Sequence, residues 1–182
     1  DEKVVVFDLW GGTFDVTVLE IWSEGTFQVL ATSGDTSLGG ADFDQKIIDH
    51  IVDEFKKKEG IDLRENAMAM QRIKDEAENA KKQLSQTERV DISIPFICTG
   101  EDGQPRNLDE SLTRAQFEDM CKDLIKKCKT PVENALKDSK LSKSDINQVL
   151  LVGGSTRMPM VKWLVKDVLG MEPKATVNPD ES

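Results

Sequence analysis

The chain has 182 residues, of which 38% are apolar and 32% charged, and its 24 Lys and Arg against 34 Asp and Glu give a net charge of −10. This length and composition predict one globular domain or two small joined ones, with enough apolar residues for a core. The acidic balance argues against a nucleic-acid or anionic-membrane surface, and no apolar run approaches the roughly 18 residues of a membrane span. A single histidine, His50, excludes a histidine-rich metal site.

The chain begins at Asp1 and enters an apolar run at residues 4–7 at once, which suggests a fragment of a longer protein without a secretion signal. Three cysteines lack Cys-x-x-Cys spacing, and this predicts free thiols in a reducing compartment. Cys121 and Cys128 lie seven residues apart on a helical pattern, so we expect both in the core rather than in a redox pair.

The N-terminal segments are strand-like. Residues 3–8, 13–22 and 26–33 are rich in Val, Ile, Thr and Phe, and Glu24-Gly25 supplies a turn. This pattern predicts a three-stranded antiparallel meander.

Helical periodicity begins at Asp42 and predicts an amphipathic helix that ends near Gly60. A second helix is expected from about 65 to 84, followed by a strand at 89–97 and a hairpin turn at 102–105.

The C-terminal half alternates helices with one apolar strand. Thr113 and Gln116 predict a capping box that starts a helix of about fifteen residues. Pro131 is expected to open a further helix to about Lys137. A buried strand at 148–152 and a last helix at about 159–169 complete a mixed α/β pattern.

Two glycine-rich loops carry the chemical signal. Gly11-Gly12 and Gly153-Gly154 each follow an apolar strand and precede a hydroxyl residue. Without Cβ atoms, backbone N–H groups can approach and bind a phosphate. Taken singly, each loop is more typical of an ordinary connection than of a phosphate site, a hairpin turn for the first and a strand-to-helix link for the second. Neither has the spacing of a P-loop or a dinucleotide fingerprint.

Two carboxylates flank the first loop. Asp8 ends the first strand and Asp15 lies on the return strand. Mg²⁺ prefers a few carboxylates together with waters and phosphate oxygens, so the pair favours a metal-bound nucleotide over a free phosphate. The alternative is that Asp8 only stabilises the turn.

A polar stripe runs along the second predicted helix. Its members follow helical spacing and are Glu78, Lys81, Lys82 and Ser85. Periodicity alone favours a solvated face with a Glu78–Lys82 salt bridge worth about 0.2–0.5 kcal/mol.

Four sequence strings together resemble the signatures of the 70-kDa heat-shock chaperones, and they span essentially the whole chain. They are DLWGGTFD at 8–15, GDTSLGGADFD at 34–44, LVGGSTRMP at 151–159 and NPDE at 178–181. Residues 68–72 and 94–97 resemble the bacterial and organellar, DnaK-type branch. The resemblance implies the second lobe of a nucleotide-binding domain with an actin/hexokinase-like α/β fold, a mixed sheet with flanking helices plus a smaller α+β subdomain. Residues 1–37 and 120–182 would form the base subdomain and 38–119 the smaller, mobile one.

The resemblance also implies ATP or ADP and Mg²⁺ as ligands. Asp8, Thr13 and Asp15 match the catalytic cleft, where Asp8 would orient Mg²⁺ through water. The matching nucleotide-binding residues are Gly11, Gly12, Thr13, Gly40, Glu78, Lys81, Lys82, Ser85, Gly153, Gly154, Ser155, Arg157, Met158 and Asp180. Arg157 would pack on the base, and the stripe would hold base and ribose. Trp10 departs from the family, which has glycine there.

The implied partners are a GrpE-type nucleotide-exchange factor on the smaller subdomain, a J-domain co-chaperone, the first lobe, the peptide-binding domain and, through it, unfolded clients. No nucleic acid or membrane is expected, and the location would be the bacterial cytoplasm or else a mitochondrial or plastid matrix. Because the first lobe is missing from this sequence, we expect little ATP turnover from it alone. Two alternatives stay open: the lobe of a sugar or acetate kinase, and a protein-interaction module that binds no nucleotide.

Overall fold

The computed structural model describes residues 1–9, 13–35 and 38–173, with only the backbone at Ser155, and the backbone of 175–177. The strands are β1 Glu2–Leu9, β2 Phe14–Ile21, β3 Phe27–Asp35, β4 Arg89–Thr99, β5 Pro105–Thr113, β6 Gln148–Val152 and β7 Ala175–Val177. The helices are α1 Gly40–Glu59, α2 Ala67–Leu84, α3 Arg114–Met120, α4 Lys122–Ser139 and α5 Pro159–Leu169. Short 3₁₀ turns lie at Leu63–Glu65, Lys143–Asp145 and Gly154–Arg157. Within these described ranges, no helix is both long and apolar enough to cross a membrane.

The chain forms two compact units. Unit 1 comprises residues 1–42 and 122–182, and unit 2 comprises residues 43–121. The sequence placed the corresponding boundaries at 37/38 and 119/120, a few residues earlier in each case.

Unit 1 contains a five-stranded mixed sheet in the order β3-β2-β1-β6-β7. The predicted meander is confirmed, since β1 pairs antiparallel with β2, and β2 with β3. On the other side β1 pairs in parallel with β6, and β6 with β7. β1 is therefore an interior strand, and this explains why Val4, Val5 and Phe7 are all fully buried.

The helix boundaries near Pro131 differ from the prediction. The Thr113–Gln116 capping box is present and starts α3. That helix ends at Met120 rather than after fifteen residues, and Pro131 lies inside α4 instead of opening a new helix. Proline removes one N–H from the helix, but its φ suits helical backbone, so a helix held by packing can contain it. Cys121 caps α3 instead, with no Gly or Pro to signal the break.

Unit 2 combines α1 and α2 with the β4–β5 hairpin. The predicted strand is confirmed and its alternation buries Val90, Ile92 and Ile94 while the residues between them face solvent. Its turn spans residues 100–104, slightly before the predicted position, with Gly103 N–H donating to the Gly100 carbonyl at 3.0 Å. α1 and α2 supply apolar stripes, and each helix begins within two residues of its predicted start.

Candidate functional site

The two glycine-rich loops leave the same edge of the unit 1 sheet. β1 and β6 are parallel neighbours, with Asp8 opposite Val152. The backbone therefore leaves the two strands side by side, at the same edge of the sheet. Ligands of open α/β sheets bind at the carboxyl ends of such strands. The structure thus adds a spatial relation that the sequence could not show, because 143 residues lie between Asp8 and Val152 in the chain.

Gly153 fits this edge only as glycine. Its φ is +98°, in the left-handed region, and a Cβ there would collide with the Leu9 carbonyl oxygen and lie 2.8 Å from the carbonyl carbon. The second loop therefore touches the backbone that leads into the first. At Gly154, by contrast, a Cβ would meet no described atom within 4 Å.

Thr156 closes the second loop and was not assigned a role from the sequence. Its side chain is fully buried, and its hydroxyl donates to the Gly153 carbonyl at 2.6 Å. The Thr156 N–H donates to the same oxygen at 3.2 Å. These two bonds hold the 3₁₀ turn between β6 and α5, and a hydroxyl three residues after the first loop glycine is the only sequence signal for them.

Asp8 and Asp15 lie directly opposite each other across β1 and β2. Asp15 is exposed, whereas Asp8 is half-buried and its Oδ1 atom is buried without a hydrogen-bond partner among the described residues. Burial, and secondly the charge of Asp15, raise the pKa of Asp8 above its usual value. Like charges facing each other across two strands destabilise a sheet, so the ionised Asp8–Asp15 pair is unfavourable in this position.

A divalent cation fits this pair. An orphaned carboxylate oxygen with a second carboxylate beside it is a donor set for Mg²⁺, which takes one or two carboxylates and completes its shell with waters and phosphate oxygens. No cluster of three or more His, Cys, Asp or Glu suited to a metal occurs in the part of the chain that the structure describes. Two carboxylates alone leave most of a Mg²⁺ coordination shell to other ligands.

Gly34 leaves free the space that the Asp15 carboxylate occupies. Gly34 pairs with Asp15 across β2 and β3, and a Cβ on it would lie 2.7 Å from Asp15 Oδ1 and 2.5 Å from the Phe14 carbonyl oxygen. The carboxylate thus leans over a strand position that only glycine leaves open. The sequence marked Gly34 as part of a motif but assigned it no role.

The polar stripe of α2 lies in unit 2 and divides into two kinds of residue. Glu78 and Lys82 form an exposed ion pair at 3.3 Å, as periodicity alone predicted. Lys81 is buried, and its ammonium lies 2.9 Å from Asp44 Oδ1. Ser85 caps α2, with its hydroxyl 3.4 Å from the Lys81 carbonyl.

The other predicted site residues lie at element ends or outside the described ranges. Thr13 is exposed just before β2, Gly40 starts α1, and Arg157 is half-buried at the end of the 3₁₀ turn. Met158 is buried and precedes α5. Residues outside the description are Trp10, Gly11, Gly12 and Asp180, together with the side chain of Ser155.

The mixed sheet with flanking helices and two loops at one edge is the α/β fold of an actin/hexokinase-like ATPase lobe. Residues 1–182 match the family model described as Hsp70 protein. The chain belongs to the Hsp70 family, and the kinase alternative is therefore wrong.

Three relatives show how the chain compares with known members. It is 58% identical over 181 residues to "Chaperone protein dnaK" of Cyanidioschyzon merolae, covering 100% of this chain and 30% of that protein. It is 57% identical to the protein of the same name from Cyanidium caldarium, with 100% and 29% coverage. It is 53% identical to "Stromal 70 kDa heat shock-related protein, chloroplastic" of Pisum sativum, with 100% and 25% coverage. The chain thus spans less than a third of the length of these relatives.

Proposed function

We propose that this chain is the ATP- and ADP-binding second lobe of a chaperone ATPase. The observation that carries the proposal is the buried Asp8 oxygen opposite Asp15, which has no hydrogen-bond partner in the described part of the chain and lies at the edge where β1 and β6 end. A charge pair of this kind costs stability unless a cation completes it. Its position at the strand edge where Gly153 closely approaches the Leu9 backbone supports a cation that arrives with phosphates.

Each residue class has a distinct task in this proposal. Asp8 would hold a Mg²⁺ ion through water, and Asp15 would add negative charge beside it. Gly11, Gly12 and Thr13 donate to phosphate oxygens, and the loop of Gly153 and Arg157 holds the adenosine. A bound Mg²⁺ would neutralise part of the negative charge of the phosphates. The stripe of α2 contributes to the sugar and base.

The activity of the whole chaperone is part of the proposal, since the chain spans at most 30% of the relatives cited above. In it, nucleotide state would govern peptide binding elsewhere in the full-length protein. A GrpE-type exchange factor would dock on unit 2, and a J-domain co-chaperone and clients would act on the full chaperone. The chloroplastic name of the pea relative supports a plastid origin over the bacterial cytoplasm expected first.

Calorimetric titration of the chain with ADP tests the proposal. We expect weak binding that strengthens when Mg²⁺ is added, and Asp8→Asn is expected to abolish that strengthening. Asp91→Asn is the matched control, because Asp91 is an exposed strand carboxylate in unit 2 that pairs with Arg89. No heat with ADP under any condition would contradict the proposal and favour the interaction module. A Mg²⁺ effect that survives in Asp8→Asn would refute the role of Asp8.

A further inference from the structure

Thr156 differs from the other polar side chains that the structure describes because it is completely buried. Its exposed fraction is 0%, and Lys81, at 6%, is the other buried polar or charged residue among the described ones. A hydroxyl group taken out of water lowers stability unless it forms a hydrogen bond, and this one donates to the Gly153 carbonyl oxygen at 2.6 Å. Valine would fill nearly the same volume without a polar group to satisfy, so packing alone does not require a hydroxyl here.

The hydroxyl adds a second donor to a carbonyl that the backbone already binds. The Thr156 N–H donates to the same Gly153 oxygen at 3.2 Å, whereas the hydroxyl lies 2.6 Å from it. A carbonyl oxygen has two lone pairs, and these two donors use both. The backbone bond alone would close the turn, so what the hydroxyl contributes is a fixed direction of the Gly153 carbonyl.

This carbonyl in turn determines the direction of the Gly154 N–H. Both groups belong to one peptide unit, which is planar, and no cis peptide bond occurs in the described part of the chain. The C=O and N–H bonds of a trans peptide point to opposite sides, so the Gly154 N–H is directed away from Thr156. Gly154 is exposed, and a Cβ on it would meet no described atom within 4 Å, which leaves room for a ligand beside it.

Two successive glycines make this loop depend on such restraints. Glycine has more backbone freedom than any other residue, and Gly153 and Gly154 follow each other directly. The backbone at Leu9 confines Gly153 on one side, because a Cβ on Gly153 would collide with the Leu9 carbonyl oxygen. The Thr156 hydroxyl confines the following peptide. A loop that is ordered before its ligand arrives binds more tightly, because less conformational entropy is lost on binding.

We propose that Thr156 is a positioning residue that fixes the Gly153–Gly154 peptide, and through it the second loop, for the adenosine part of a bound nucleotide. This inference rests on the proposed function. Because Thr156 is fully buried, it acts through the Gly153 carbonyl and not by contact with the ligand. All the residues involved belong to unit 1.

The test uses two variants of the whole chain that remove different parts of the Thr156 side chain. Thr156→Val keeps the shape and loses the hydroxyl, whereas Thr156→Ser keeps the hydroxyl and loses the methyl group. In calorimetric titrations we expect Thr156→Val to bind adenosine and ADP roughly three- to tenfold more weakly than the parent, about the effect of one hydrogen bond between uncharged groups. Thr156→Ser is the matched control and should bind both ligands as the parent does, although the loss of a buried methyl group lowers its urea midpoint. The strengthening of ADP binding by Mg²⁺ should be the same in all three proteins, since Asp8 is unchanged.

Every other outcome overturns the inference. Parent-like affinities in Thr156→Val would show that the hydroxyl does not position the loop. Equal weakening in Thr156→Ser and Thr156→Val would show that affinity follows stability and that Thr156 is only structural. A parent that binds ADP but not adenosine, or a weakening confined to ADP, would also overturn this inference alone. A parent that binds neither ligand would overturn the proposed function and the inference with it.

A second pair of variants covers the case in which Thr156→Val does not fold. Thr156→Ala and Thr156→Ser both lack the methyl group, and they differ only in the hydroxyl. Thr156→Ala should then bind adenosine and ADP roughly three- to tenfold more weakly than Thr156→Ser. Equal affinities in these two variants would refute the positioning role.

Discussion

Replacing Gly153 by alanine tests the contact between the two loops. The φ of +98° costs an L residue about 1–2 kcal/mol. The new methyl group would overlap the Leu9 backbone, which cannot rotate away as a side chain can, and relieving that overlap costs about 1–3 kcal/mol more. Together these terms predict a loss of about 2–5 kcal/mol in the free energy of unfolding of unit 1.

Tryptophan fluorescence during urea unfolding isolates this effect. The chain has three tryptophans and no tyrosine, and Trp10, Trp22 and Trp163 all lie in the residues of unit 1. We expect Gly153→Ala to lower the fluorescence midpoint by about 1 M urea or more.

The adjacent glycine provides the control. Gly154→Ala adds the same methyl group where no described atom lies within 4 Å, and its φ is outside the left-handed region. It should leave the midpoint unchanged or raise it slightly, because alanine restricts the unfolded chain. Equal midpoints for the two variants would refute the argument that Leu9 requires glycine at 153.

Three further outcomes follow from the same site and core. Because burial and Asp15 raise the pKa of Asp8, its ionised form destabilises the fold at neutral pH, and this penalty fades as the carboxyl protonates on acidification. Asp8→Asn should therefore raise the urea midpoint more at pH 7 than at about pH 4; an equal gain at both pH values would contradict a raised pKa for Asp8. Burial raises the pKa of the Cys128 thiol to about 12, so iodoacetamide should label half-buried Cys98 first, and early labelling of Cys128 would count against its burial. Trp10→Gly should improve affinity for ADP but not for adenosine, since we expect a bulky residue that precedes Gly11 and Gly12 in the sequence to hinder phosphate binding; equal affinities in parent and variant would refute this.

Local patterns predicted most of the elements, because their causes are local. The alternation of β4 and the apolar stripe of α1 arise from burial on one face, and the Thr113–Gln116 capping box is a contact over three residues. The break at Cys121 could not be predicted, since it depends on packing rather than on a breaker residue. Pro131 led to a wrong helix start, because the buried proline lies inside α4 instead of beginning a helix.

The candidate site was predictable as motifs but not as geometry. The spacing of Asp8 and Asp15 suggested a metal site, yet their direct opposition depends on the β1–β2 register. The pairing of β1 with β6 joins residues far apart in the chain, and no local signal specifies it. Periodicity placed Lys81 on a solvated face because it cannot reveal Asp44, which approaches from another helix.

Backbone amide NMR during a titration with Mg²⁺ and ADP tests most directly whether the edge of the unit 1 sheet binds a metal-bound nucleotide. We expect the amides around Asp8 and those around Gly153 to shift with a single dissociation constant. Amides of the hairpin turn at 100–104 in unit 2 should stay unchanged. Different constants for the two sets of amides, or no shifts at all, would contradict the proposed function.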